Sequence, residues 1–124
     1  MDRYSGVDGS MSLSDVGNYA GLSESERQLR ENVAYVVERF SSFSSIDDLI
    51  REDPLDIEYK VSSRGDITGV ELAITLGGPG IYVELPRGMV KGYWAGDEVS
   101  IDIRNPRGTD WMFDFYAEMA PMNL

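Results

Sequence analysis

Apolar residues recur at three- and four-residue steps in the stretch that follows Ser23, which is the period of an α-helix with one buried face. The recurring positions are Leu29, Val33, Val36, Val37 and Phe40. Ser23 and Glu26 have the spacing of a capping box, in which a hydroxyl and a carboxylate satisfy free backbone donors at a helix start. We therefore expect a helix from about Glu24 to Phe43.

A short second helix is predicted after the serine-rich run that ends the first one. Ser45 can cap its start, and Pro54 prevents the helical path from continuing. The residues between them have helical spacing, so we expect a helix through Arg51 with one buried face. The side chains that it should bury are Ile46, Leu49 and Ile50.

After Pro54 the pattern changes to alternation of apolar and polar residues, which is typical of strands with one face in water. Turns rich in Gly, Pro, Ser and Asp separate five such segments. The fourth segment is Val90 to Trp94, and the apolar positions of the others are Ile57, Tyr59 and Val61; Val70, Leu72, Ile74 and Leu76; Ile81, Val83 and Leu85; and Val99, Ile101 and Ile103. Short strands joined by tight turns predict an antiparallel meander.

A last helix is predicted from Thr109 or Asp110, either of which can cap it, to about Met119. Its apolar residues form one stripe with Trp111, Phe115 and Met119 and a second with Met112 and Tyr116. The order of helix, short helix, four- to five-stranded meander and helix indicates an α+β fold. We expect a two-layer sandwich with the helices across one face of the sheet.

The first 22 residues have no steady hydrophobic period and contain Ser, Gly and Asp throughout. Segments of this kind bury too little apolar surface to offset the entropy of ordering them. We therefore expect residues 1–22 to be a flexible N-terminal arm and residues 23–124 to form a single α+β domain.

The 124 residues include neither Cys nor His. This excludes disulfides, thiolate metal sites, and catalytic triads built on Ser and His or on Cys and His. An Asp-x-Asp-x-Asp-Gly calcium loop is also lacking, so we expect no enzyme, no cofactor and no metal site. The longest apolar runs are far below the roughly 20 residues that span a bilayer, which predicts a cytoplasmic protein without a membrane partner.

The formal net charge is -11, from 22 acidic and 11 basic side chains. Such a charge disfavours direct binding of nucleic acid and attracts basic protein surfaces. Solubility or adaptation to salt explains the same acidity without a partner. Only two of the basic residues are Lys.

Six carboxylates lie close together along the chain, and we call them the acidic ridge: Asp47, Asp48, Glu52, Asp53, Asp56 and Glu58. On a helix end and one strand face they would stand about 6 to 7 Å apart, a spacing like that of phosphates along a nucleic-acid strand. This predicts mimicry of DNA or RNA toward a basic groove. The alternative is a solvated edge, with Asp47 and Asp48 complementing a helix dipole.

Aromatic residues on two neighbouring strands suggest a second surface. If the sheet face opposite the helices is exposed, Tyr82, Glu84, Lys91 and Tyr93 form an aromatic and charged patch, with Trp94 next to it. Core packing, or coverage by the N-terminal arm, is the alternative. The methionine-rich C-terminus predicts a homodimer contact through Met112, Met119, Met122 and Leu124, and a docked terminal helix is the alternative explanation of these residues.

Three segments carry a resemblance to a known group of proteins. They are Asp56–Val61, Gly77–Val83 with its Gly-Gly-Pro corner, and Val90–Trp94 with its Tyr-Trp pair. This arrangement, over about half the chain, resembles small acidic proteins carried by conjugative elements and phages of gut bacteria. The resemblance implies counter-defence, meaning inhibition of CRISPR effectors or restriction enzymes.

The leading hypothesis is therefore a non-catalytic inhibitor that docks the acidic ridge into the basic channel of a nucleic-acid-binding defence nuclease. Each carboxylate would pair with an Arg or Lys that otherwise holds phosphate. The second hypothesis is a protein-interaction or assembly module that binds through Tyr82, Tyr93, Trp94 and the C-terminus.

Overall fold

A computed structural model describes residues 10–11 and 21–121. The helices are α1 (Glu24–Ser42), α2 (Ile46–Glu52) and α3 (Asp110–Glu118). The strands are β1 (Ser10–Met11), β2 (Asp56–Val61), β3 (Ile67–Thr75), β4 (Gly80–Leu85), β5 (Met89–Trp94) and β6 (Asp97–Asp102). Within the described residues, no helix is both long enough and apolar enough to cross a bilayer.

The strands form one six-stranded sheet in the order β1-β6-β5-β4-β3-β2. Strands β2 to β6 are the predicted antiparallel meander, and the helices flank it in the chain as expected, which confirms the α+β fold. The sixth strand was not predicted. Ser10–Met11, within the proposed N-terminal arm, pairs in parallel with β6. Residues 1–9 and 12–20, the rest of that arm except for its last two residues, lie outside the described residues.

The core lies between the helices and one face of the sheet. α1 crosses β5 and β6, while α3 covers β3 and β4 and contacts α2. Gly92 on β5 allows the closest approach, because a Cβ built there would lie 2.4 Å from Val33 and 2.9 Å from Leu29 of α1. The apolar positions predicted for α1 are all buried.

Local side chains fix the ends of α1. Ser23 Oγ accepts a hydrogen bond from the backbone N–H of Glu26 at 3.2 Å, which confirms the predicted cap. At the other end, the side-chain amide of Asn105 donates to the carbonyl oxygens of Phe40 and Phe43, at 3.2 and 2.7 Å. Asn105 thereby satisfies free carbonyls of the last helical turn and ties α1 to the loop after β6.

Three predictions for residues of the helices are wrong: Ile46 and Ile50 as core residues, and Met112 as a residue of a homodimer contact. α2 buries Leu49, whereas Ile46 and Ile50 are exposed on the sides of the helix that no other element covers. On α3, Met112 is fully buried and is therefore not available to a partner, and Met119 is exposed. The other two residues of the proposed homodimer contact, Met122 and Leu124, lie outside the described residues.

The predicted second strand also differs at its end. β3 stops at Thr75, after a shift in its pairing with β4, and Leu76 is exposed in the following turn instead of lining the core. The shift changes the face on which the last residues of the strand point.

Candidate binding surface

The carboxylates of the acidic ridge divide into two kinds. Those that we call internal form ion pairs with other residues of the chain, and the rest have no such partner among the described residues. Asp48 accepts hydrogen bonds from the backbone N–H groups of Ser44 and Ser45, at 2.8 and 3.1 Å, and pairs with Arg51 at 2.6 Å. Hydrogen bonding from Ser44, then from Ser45, together with the charge of Arg51, lowers the pKa of Asp48 despite desolvation. Asp48 therefore serves to hold the start of α2.

Glu52 is also internal. Its side chain is 7% exposed and pairs with Arg39 of α1, with 2.6 Å between Oε1 and Nη2. Burial nevertheless raises the pKa of Glu52, because desolvation of the carboxylate outweighs the charge of Arg39. The pair links α2 to α1.

A buried tyrosine lies in the same region. The hydroxyl of Tyr116 on α3 has no hydrogen-bond partner among the described residues, and burial, reinforced by the charge of Glu52, raises its pKa. Tyr59 of β2 donates a hydrogen bond to the carbonyl oxygen of Tyr116 at 3.0 Å. This hydrogen bond holds β2 against α3.

The other four carboxylates of the ridge are exposed: Asp47, Asp53, Asp56 and Glu58. None of the four makes a hydrogen bond or an ion pair with another residue of the described part of the chain. Asp53 ends α2 with a left-handed backbone, φ 46°. Asp56 and Glu58 alternate along β2 and so point to the same side of the sheet.

That side is the face opposite the helices, which we call the open face. The pairing register sets Glu58 beside Glu71, and Glu71 beside Glu84, so three glutamates form a row across β2, β3 and β4. Both lysines of the chain lie on this face. Lys60 Nζ lies 3.7 Å from Glu84, and Lys91 Nζ lies 3.0 Å from Glu84 and 3.5 Å from Glu71.

Lys91 is the centre of this charge cluster. Burial lowers the pKa of Lys91, but its hydrogen bond to Glu84 and the charges of Glu84 and Glu71 raise it above its usual value overall. For Glu84, burial alone would raise the pKa. The hydrogen bond from Lys91 and its charge, together with the charges of Lys60 and Arg87, instead bring the pKa of Glu84 below its usual value. Both groups are therefore ionised at neutral pH.

Two tyrosines extend the open face beyond the lysine cluster. Tyr82 and Tyr93 meet edge to face, with ring centroids 6.0 Å apart, and Tyr93 is 42% exposed. Asp56 lies in the same cross-strand row as Tyr82, since Asp56 pairs with Ala73 and Ala73 pairs with Tyr82. The structure thus brings half of the exposed ridge and two of the three predicted aromatic residues onto one surface.

Trp94 is on the opposite side of the sheet. It packs against the core cluster and pairs across the β5–β6 hairpin with Asp97, whereas Tyr93 pairs with Glu98. Gly78 lies against the Trp94 ring, because a Cβ on Gly78 would be 2.8 Å from ring atoms Cζ3 and Cη2. Trp94 therefore does not belong to the Tyr82–Tyr93 surface.

A shallow pocket of about 390 Å³ lies between the turn that joins β3 to β4 and the turn that joins β5 to β6. Four glycines and Ala95 form much of its wall, and its other lining residues are Tyr93, Trp94, Asp97 and Glu98. We call it the hairpin-end pocket. It combines aromatic rings and carboxylates, and none of the described residues that line it is basic.

The described residues include no group of three or more acidic side chains placed to hold a metal ion. Three acids described above have shifted pKa values, and each of them forms an ion pair with an Arg or Lys side chain. They are Asp48, Glu52 and Glu84. Such pairs stabilise a fold and supply charge at a surface.

The glutamate row and its lysines were only partly visible in the sequence. Glu84 and Lys91 were predicted on the open face, but Glu71 and Lys60 were not placed there. Period-two alternation marks all four as polar strand residues, and the register that brings them together depends on the turn lengths and on the β-bulge in β2.

Comparisons with protein-family models, with curated proteins and with solved structures find no match for this chain.

Proposed function

We propose that this protein is a non-catalytic binding protein that docks its exposed carboxylates on a basic, nucleic-acid-binding surface of another protein. The observation that carries the proposal is that Asp47, Asp53, Asp56 and Glu58 are exposed and have no ion partner among the described residues, beside two ridge acids that do have one. Carboxylates without an internal cation are available to pair with a partner. The Glu52–Arg39 pair links α2, and with it Asp47 and Asp53, to α1.

The open face supports the same proposal. Six carboxylates point to it, on alternate positions of β2, β3, β4 and β6, against the two lysines. They are Asp56, Glu58, Glu71, Glu84, Glu98 and Asp102. A net negative, rigid surface with an exposed tyrosine suits a basic partner, since electrostatic complementarity speeds encounter and aromatic residues add contact energy.

Nucleic-acid mimicry follows from spacing as well as charge. Asp56 and Glu58 lie two residues apart on one strand face, about 6 to 7 Å from each other. This spacing is close to that of successive phosphates, so an Arg- or Lys-lined channel can pair with these carboxylates as it does with phosphate. The function that we propose is inhibition of a nucleic-acid-binding defence nuclease by occupation of that channel.

The test is capture of partners from the host's own cell extract with four charges neutralised. The variant combines Asp47→Asn, Asp53→Asn, Asp56→Asn and Glu58→Gln. The matched control, with the same change in net charge, combines Glu31→Gln, Glu38→Gln, Asp114→Asn and Glu118→Gln, all exposed on α1 and α3. Partners are identified by mass spectrometry at low and high salt.

We expect the wild type and the control to capture a nucleic-acid-binding protein that duplex DNA or RNA displaces, and the ridge variant to lose it. Raising the salt concentration should weaken binding, because it screens exposed charge pairs. A partner that the ridge variant retains, or that nucleic acid does not displace, contradicts mimicry.

A second candidate function is a protein-interaction module that binds through the tyrosines of the open face. The edge-to-face contact of Tyr82 with Tyr93 and the exposure of Tyr93 favour it. In that case Tyr93→Ala abolishes capture of the partner while the ridge variant retains it. The same capture experiment therefore separates the two functions.

A further inference from the structure

The hairpin-end pocket has the lining of a site for a cation with a flat apolar face. Trp94 and Asp97 face each other across the β5–β6 hairpin, directly before and after its two-residue turn. Directly opposed residues of an antiparallel pair have their Cβ atoms about 5 Å apart, so a group over the indole ring is within reach of the carboxylate. Tryptophan is the aromatic side chain that best attracts a cation.

The charge of the pocket is suited to the same ligand. Asp97 makes no hydrogen bond or ion pair with any described residue, so its carboxylate is available. Glu98 lines the pocket as well and acts on the hydroxyl of Tyr93: burial first, and the charge of Glu98 among others, raises the pKa of Tyr93. Among the described residues, no basic side chain lines the pocket, which disfavours an anion.

Glycine keeps the pocket open. The corner between β3 and β4 places Gly78 against the Trp94 ring, where any side chain would meet ring carbons at 2.8 Å. The β5–β6 turn has left-handed backbone at Ala95 and Gly96, with φ 52° and 86°. Two such residues form the tight turn that keeps Trp94 and Asp97 opposite each other.

We propose that the hairpin-end pocket binds an arginine side chain of a protein partner, with the guanidinium group against Trp94 and hydrogen-bonded to Asp97. A guanidinium is planar, always charged and weakly hydrated, so it stacks on a ring and donates to a carboxylate at once. The pocket is shallow, so it suits a single side chain, presented by a docked protein, better than a larger free ligand that has to be enclosed. The inference rests on the proposed function in one respect, that the partner presents a basic surface.

The probe for the test is Nα-acetyl-arginine amide, titrated into the isotope-labelled full chain and followed by NMR. The chain has two tryptophans, so the indole N–H of Trp94 reports the pocket and that of Trp111 is an internal reference. The matching lysine and citrulline amides serve as comparison ligands, because citrulline has the shape of arginine without its charge. We expect a saturable shift at Trp94, Gly96 and Asp97 with arginine, a weaker one with lysine and none with citrulline.

Two variants make the test specific. Asp97→Asn should weaken arginine binding by about tenfold, as expected for loss of a charged hydrogen bond. Asp114→Asn removes an equal charge from an exposed position of α3, outside both proposed binding surfaces, and should leave binding unchanged. The proposal is overturned if arginine causes no saturable shift at Trp94, if citrulline binds equally well, or if the two variants behave alike.

The outcome is independent of the ridge experiment, because Asp97 was not altered there. Capture of a partner through the ridge, with no arginine bound at the pocket, overturns this inference alone. Arginine binding at the pocket, with no partner lost on ridge neutralisation, overturns the proposed mimicry alone.

Discussion

One face of the sheet is covered by α1 and α3 and lined with valine, leucine and isoleucine, whereas the open face carries six carboxylates, two lysines and two tyrosines. The first face is covered by apolar packing, which does not depend on the ionisation of side chains. The second is held by ion pairs of partly buried groups such as Lys91 and Glu84. The comparison shows how a small acidic domain separates the apolar surface that folds it from a charged surface that stays exposed.

The largest expected difference between the faces is in packing. Phe40→Ala removes a fully buried ring of the core and should lower the free energy of unfolding by about 3 to 5 kcal/mol. Tyr93→Ala removes a half-exposed ring of the open face and should cost about 1 kcal/mol or less. Urea denaturation of both variants measures the difference. Equal losses would mean that the open face is part of the folding core.

A smaller effect is expected from the two lysines of the open face, which form a matched pair. Lys91→Met leaves Glu84 and Glu71 without their nearest cation in a partly buried place and should cost about 1 to 2 kcal/mol. Lys60→Met acts on an exposed side chain 3.7 Å from Glu84 and should cost less than about 0.5 kcal/mol. Urea denaturation at neutral pH compares them. Equal costs would contradict a central role for Lys91.

The smallest expected effect concerns how stability depends on pH. Glu84, on the open face, and Glu52, on the helical side, should contribute to stability with opposite dependence on pH. The folded-state pKa of Glu84 lies below 4.5, so its stabilising contribution is present above pH 4.5 and is lost as pH falls through that lower value. The folded-state pKa of Glu52 lies above 4.5, so its contribution is greatest below pH 4.5 and is lost as pH rises through the higher value.

Urea denaturation over a pH series checks the two signs. Relative to the wild type, Glu84→Gln should become more stable as pH falls below 4.5, and Glu52→Gln should become more stable as pH rises above 4.5. Parallel curves for the wild type and both variants would show that neither carboxyl has a shifted pKa.

Much of the fold could be predicted because its signals are local. The cap at Ser23, the helical period of α1 and the alternation in β2 to β6 each involve residues a few positions apart. β1 escaped prediction because two residues are too few to show a period. Ile46 and Ile50 were placed wrongly because helical spacing defines a face and does not say whether anything covers it.

The candidate surface was predicted less well, for the same reason. Six ridge acids looked equivalent in the sequence, yet Glu52 pairs with Arg39, 13 positions earlier, and no local pattern indicates that contact. The separation of Tyr93 from Trp94, in contrast, follows from the strand period, since adjacent strand residues point to opposite faces. The sequence contained that signal.

The sequence by itself determined the helices, the meander, the excess of negative charge and the absence of Cys and His, because composition and short-range periodicity are properties of the chain. The tertiary structure alone decided which acids are free, how Glu58, Glu71 and Glu84 align, and where Gly78 meets Trp94. These features depend on strand register and on contacts between distant segments. Such contacts form only when the whole core is packed.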